Sequence, residues 1–236
     1  MWADELHQRL QSLADPERAQ AASRYFKTSP GDSGADLRLL GLDAATLRAV
    51  AKDYRALPLA EVAAALRSPW HDERGVALLI LVLQYPKADA AAQKAIYDFY
   101  LANTAHINSW ALVDCSARDI VGAHLADKIR KPLDRLAKSK SLWERRIAIV
   151  ATHHFIRKGE FADTFRIARR LLNDNEDLIH KAAGWMLREV GKRDLSALET
   201  FLRSHLSSMP RTMLRYAIER FPEARRKAIL RGEVIE

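Results

Sequence analysis

Apolar and polar residues recur at helical spacing along almost the whole chain. No stretch alternates with the two-residue period of a half-buried strand, and Gly and Pro fall between the periodic stretches. The pattern predicts helices over 3–14, 16–27, 43–56, 59–67, 70–85, 88–105, 109–116, 118–127, 131–138, 141–158, 161–172, 176–190, 194–206, 210–220 and 222–231. Some starts carry local chemistry. Asp15-Pro16 sets a capping carboxylate before a proline at the first helical position. Leu42-Asp43 and Ser68-Pro69-Trp70 read as similar starts, and Gly159 and Gly191 are placed to cap helix C-termini. The stretch from Ser29 to Gly41, with Pro30, Gly31, Gly34 and Gly41, is expected to be an extended loop.

Weak internal repetition adds an architecture. Ser68-Pro69-Trp70 leads into Arg74-Gly75-Val76-Ala77, and Ser141-Leu142-Trp143 leads into Arg146-Ile147-Ala148. Glu176-Asp177-Leu178 leads into Lys181-Ala182-Ala183, with Asn108-Ser109-Trp110 between the first two. Starts about 35–40 residues apart match the length of a helical pair in HEAT-like or armadillo-like arrays. One pair cannot bury its apolar faces alone, so neighbours stack into an α-solenoid with a concave face. No linker rich in Pro, Gly or Ser divides the chain. The expectation is therefore one all-α, HEAT-like domain over 1–236.

Composition narrows the class. A hydrophobic fraction of 48% supports a core and excludes overall disorder. The longest apolar run, Val76 to Leu83, is far short of the roughly 18 residues of a spanning helix. The acidic start, Met1-Trp2-Ala3-Asp4-Glu5, does not read as a signal or transit peptide. A single cysteine, Cys115, leaves no internal disulfide and no cysteine cluster for a metal. These features point to a cytoplasmic monomer with no membrane, metal or cofactor.

The net charge of +8 is distributed unevenly. Residues 1–117 carry 12 Lys+Arg and 14 Asp+Glu, whereas 118–236 carry 26 and 16. The positive excess lies in the C-terminal half, which makes the concave face basic and suits a polyanion such as nucleic acid. A solvated basic surface is the alternative.

Three segments could face such a ligand. Lys181, Trp185, Arg188 and Lys192 share one face of the predicted 176–190 helix, and Leu178, Ala182, Met186 and Val190 share the other. An aromatic ring among cations suits nucleic acid, or it is a core-edge Trp between solvated cations. The 141–158 stretch adds Trp143, Arg145, Arg146, His153 and Arg157. Arg146 could fork onto a phosphate, or pair with Glu144 or another helix's carboxylate. Trp110 and Asp114 stand one turn apart, so a ring face and a carboxylate share one space. Both stabilise a developing cation. The alternative is a core Trp beside an exposed Asp. Weaker signals are set aside. Gly31-Asp32-Ser33-Gly34 looks like a trypsin-type nucleophile segment, but a helical chain lacks the β-barrel that goes with it. His153-His154 cannot both ligate from one helix face. His71-Asp72-Glu73 reads as cap and dipole chemistry at a helix start.

Three motifs in order carry a resemblance. Trp110-x-x-x-Asp114, Leu142-Trp143-Glu144-Arg145-Arg146-Ile147-Ala148 and His180-Lys181-Ala182-Ala183-Gly184-Trp185-Met186-Leu187-Arg188-Glu189 resemble the AlkD-like bacterial DNA alkylation-repair glycosylases. The likeness runs from Tyr25-Phe26-Lys27 to Pro210-Arg211-Thr212-Met213-Leu214-Arg215-Tyr216. It implies a HEAT-like fold and release of cationic N3- and N7-alkylated purines from duplex DNA, without a deep pocket for a flipped base. It also implies that Asp114 is the catalytic carboxylate. Trp110 and Trp185 would embrace the lesion nucleotide, and Arg146, Arg188 and Lys192 would contact the DNA backbone. Tyr25 and Lys27 would be further contacts. The departures are Ala111, where the family usually has an acidic or polar residue, and a 29–41 loop that lacks the expected aromatic residue and some of the expected basic character. A non-catalytic helical-repeat module that binds DNA or protein is the reading from the other class.

Overall fold

The computed structural model describes residues 2–29 and 31–233, so Pro30 of the predicted loop lies outside the described residues. The described residues are helical with no strand beyond one isolated bridge, Arg38 to Trp70. The chain divides into two compact units, Met1–Ile120 and Val121–Glu236.

The first unit contains α1 (Trp2–Gln11), α2 (Pro16–Phe26), α3 (Ala44–Asp53), α4 (Leu59–Leu66), α5 (His71–Gln84), α6 (Ala90–Ala102) and α7 (Trp110–Asp114). Asp15 and Asp43 cap α2 and α3 as expected, accepting from Arg18 N–H at 2.9 Å and Thr46 N–H at 2.7 Å. Ser68 does not cap α5: that helix starts at His71, and the Ser68 hydroxyl accepts from Trp70 N–H instead. Helix α5 is the spine, with α3, α4 and α7 packed against it. It is buried nearly all round, from Val76 through Leu81.

The second unit contains α8 (Lys131–Ala137), α9 (Leu142–Ala151), α10 (His153–Ile156), α11 (Ala162–Arg170), α12 (Asp177–Gly191), α13 (Leu195–His205), α14 (Arg211–Ala217) and α15 (Glu223–Leu230). Its spine is α12, which packs against α9, α11, α13 and α14. Two predicted elements come out differently. Residues 118–122 form a π turn rather than the start of an α-helix over 118–127. The single helix expected over 141–158 breaks at buried Thr152, whose hydroxyl donates to the Ile149 carbonyl at 2.6 Å. Such back-bonding competes with the helix ladder and bends the chain.

The two glycines read as C-caps have different fates. Gly159 has φ +81°, with Gly159 N–H donating to Ile156 and Glu160 N–H to Phe155. That is a Schellman closure. Gly191 stays helical as the last residue of α12, and a Cβ there would lie 2.4 Å from Leu198 Cδ2 on α13. Gly184 answers the same need in mid-helix: a Cβ would lie 2.4 Å from the Met213 carbonyl oxygen and 2.5 Å from Tyr216 Cβ. Its absence lets α14 lie close against α12.

The two close approaches should differ on substitution. Gly184→Ala pushes against backbone and is expected to cost about 1–3 kcal/mol in urea unfolding. Gly191→Ala meets only the end of a leucine and should cost clearly less.

Candidate nucleic-acid interface and catalytic carboxylate

Asp114 sits at the end of α7, one turn after Trp110, and both are half-buried. A helix of five residues closes too few hydrogen bonds to stand alone, so its neighbours set its position. At the N-terminus the Ser109 hydroxyl accepts from Leu112 N–H at 3.2 Å and lies 2.8 Å from His71 Nε2 on α5. Either group can donate in the Ser109–His71 hydrogen bond, according to the tautomer of the ring. Burial, helped by the Arg74 charge, lowers the His71 pKa to about 4. At the other end Ser116 donates to the Leu112 carbonyl at 2.6 Å and is 2.9 Å from the hydroxyl of buried Tyr100.

The ring of Trp110 belongs to an aromatic cluster. It stacks on Phe26 with centroids 5.2 Å apart and planes 19° apart, and meets Tyr25 edge-on at 5.1 Å. Phe26 in turn lies 4.8 Å from the His71 ring. Tyr25 is 70% exposed, so the cluster ends in solvent. The structure thus brings Tyr25, Trp110 and Asp114 together in one unit. Phe26 is the member that sequence reasoning passed over, although it lies between the two residues chosen. Lys27 is exposed and takes a left-handed conformation, φ 52°, closing α2 through its N–H to the Ser23 carbonyl.

The loop after α2 lacks its expected aromatic but is firmly held. Asp72 accepts from Leu40 N–H at 2.8 Å and Leu42 N–H at 3.0 Å, and His71 N–H donates to the Arg38 carbonyl. Glu73 pairs with His7 of α1 at 2.6 Å. His71-Asp72-Glu73 is therefore a buried tie between α1, α5, α7 and the loop, rather than cap chemistry. Beside Asp114, the thiol of Cys115 is pushed up to about 12 by burial and by the Asp114 charge, so it is no nucleophile at neutral pH.

In the second unit, Trp185 is half-buried on α12, with His153 edge-on at 5.8 Å. Its Nε1 donates to Glu189 at 3.2 Å. Glu189 also takes Lys192 Nζ at 2.6 Å and lies 3.6 Å from Arg188 Nε. Burial raises its pKa, but Lys192, His153 and Arg188 outweigh that and hold it low. Glu189 was readable from its i+4 spacing to Trp185, but the sequence reading did not select it. The cations of this face are paired within the protein: Lys181 with Asp177 at 2.7 Å, Arg188 with Glu219, and Lys192 with Glu189. Arg146 is 5% exposed and donates to the Leu178 carbonyl in the first turn of α12. Its repeat counterpart Arg74 is likewise buried. Arg145 forks onto Asp174 at 2.6 and 3.2 Å, which makes it a tether.

Residues 6–221 match the family described as DNA alkylation repair enzyme. The chain belongs to that family. A solved structure described as a predicted DNA alkylation repair enzyme from Enterococcus faecalis shares its fold. The TM-score is 0.69 at 17% identity, over 89% of this chain and 97% of that one. No curated protein matches the chain. Family membership makes this a DNA-repair protein of all-α, helical-repeat architecture. Among the described residues no helix is long and apolar enough to cross a membrane, and no group of three or more His, Cys, Asp or Glu is placed to hold a metal ion.

The buried His71 predicts a pH dependence. Its folded pKa lies below the unfolded value near 6.5, so the unfolded chain takes the proton first. Its share of stability is complete above about 6.5 and falls as pH drops towards 4, by about 3 kcal/mol in total. Urea unfolding at pH 7 and pH 5 should show this loss, and His71→Gln should reduce it. An unchanged pH slope in the variant would show that another group carries it.

Proposed function

We propose that the chain is a monofunctional glycosylase that hydrolyses the N-glycosidic bond of cationic N3- or N7-alkylated purines in duplex DNA. The carrying observation is the Trp110–Asp114 turn, held at both ends and flanked by an aromatic platform, in a chain of the DNA alkylation repair family. An alkylpurine that already bears positive charge leaves without a general acid. Departure builds oxocarbenium character on the deoxyribose. One carboxylate, Asp114, placed near C1′ stabilises that charge and orients the attacking water. The Trp110 face adds cation–π stabilisation against the sugar. Trp185 packs on the DNA backbone, Arg188 and Lys192 exchange their carboxylate partners for phosphates, and Lys181 and Arg146 support that strand. Exposed Tyr25 and Lys27 lie within reach of the duplex beside Trp110. No cofactor or metal takes part, and a single copy of the chain suffices.

A duplex with one N7-methylguanine tests this reading by chromatographic detection of the released base. The wild type is expected to release it well above the spontaneous rate. Asp114→Asn should keep DNA binding and lose about 10²–10³ in rate, whereas Trp185→Ala should weaken both. DNA binding without base release by the wild type would instead favour the non-catalytic module.

A further inference from the structure

The second unit holds 25 Lys+Arg against 15 Asp+Glu, yet its α12 cations are all engaged with carboxylates. Two guanidinium groups without a carboxylate partner meet in one cleft. A cleft of about 630 Å³ between α14 and α15 is lined by Arg211, Arg215, Tyr216, Glu219, Arg226 and Leu230. Arg211 and Arg215 stand one turn apart on α14, and Arg226 and Leu230 one turn apart on α15. Arg211 donates to the Leu230 carbonyl and ties the two walls together. Arg215 and Arg226 have no side-chain hydrogen bond or ion pair among the described residues. The one carboxylate, Glu219, is already paired with Arg188 of α12. An anion entering the cleft meets two uncompensated guanidinium forks, a phenol donor and an apolar wall, and displaces no existing ion pair.

We propose that this cleft binds a backbone phosphate of the DNA, a contact point separate from the Trp185 stripe. Guanidinium forks match phosphate oxygens in a bidentate way, and the ring of Tyr216 offers a face to the adjoining sugar. Gly184 gives the cleft its place in the second unit. By admitting α14 against α12, it sets Tyr216 beside the helix that carries Trp185. The proposal rests on DNA as the partner, as read above, but not on the glycosylase chemistry.

The test is anisotropy of an undamaged labelled duplex across a salt series, for the wild type, R215Q/R226Q, R215K/R226K and R203Q. Arg203 is exposed on α13 and outside the cleft. The double Gln variant is expected to bind about tenfold more weakly, and its slope of log K against log salt should flatten by about 0.9 for one lost phosphate contact. The Lys pair should recover part of both, and R203Q should change neither as much. Unchanged affinity and slope in a folded R215Q/R226Q, or an equal loss from R203Q alone, would overturn the cleft assignment. Failure of base release by the wild type bears only on the glycosylase reading.

Discussion

A helix of five residues cannot hold itself, and α7 carries the carboxylate on which the proposed chemistry turns. What holds it is the hydrogen bond between Ser109 and the neutral ring of His71, at 2.8 Å inside the first unit. A typical hydrogen bond adds about 1 kcal/mol, but stranding either buried partner costs about 1–3 kcal/mol. The same ring also touches Phe26, which stacks on Trp110. One imidazole therefore fixes both the start of the helix and the height of the aromatic platform. Asp72 and Glu73, its chain neighbours, bind the 29–41 loop and α1 to the same point. Four consecutive buried polar residues at the head of α5, His71 to Arg74, would be costly if unpaired. His71, Asp72 and Glu73 are paired and place Trp110 and Asp114, whereas Arg74 keeps Nε and Nη2 buried without a partner.

The second unit solves a different problem. It carries most of the positive charge, and its α12 face is a set of pre-formed ion pairs. Arg188, Lys192 and Trp185 all meet at Glu189. These pairs are half-buried at Arg188 and Glu189. Their effect is to orient long side chains and to hold the Trp185 indole by its Nε1. On the proposed function, a phosphate would replace one anion by another with little reordering of the cations. Where no carboxylate competes, at Arg215 and Arg226, the charge stays open.

Much of this was readable beforehand. Helical periodicity located nearly every element, because an amphipathic helix writes its buried face into the spacing of its residues. The Asp15 and Asp43 caps were legible because capping is local. The errors arose where tertiary packing intervened. Gly191 looked like a left-handed cap and is instead a close-approach site for Leu198. Thr152 broke a helix that spacing alone ran through. For the candidate site, the Trp110–Asp114 spacing was visible, whereas the roles of His71 and Phe26 were not, since 38 and 84 residues of chain separate them from their partners Ser109 and Trp110.

By itself, the sequence determined the helical class, the basic C-terminal half and the pairing of Trp110 with Asp114 on one turn. These follow from periodicity, composition and neighbours along the chain. Only the tertiary structure decided which charges stay open. Arg146 read as a phosphate ligand or an ion-pair partner in one dimension; it is buried against the Leu178 carbonyl, and its neighbour Arg145 is the one that forks onto a carboxylate, Asp174. Lys181, Arg188 and Lys192 read as a cationic stripe and proved to be ion pairs. A charge's partner is set by distance in space, and spacing along one helix cannot report which carboxylate a second helix brings to it.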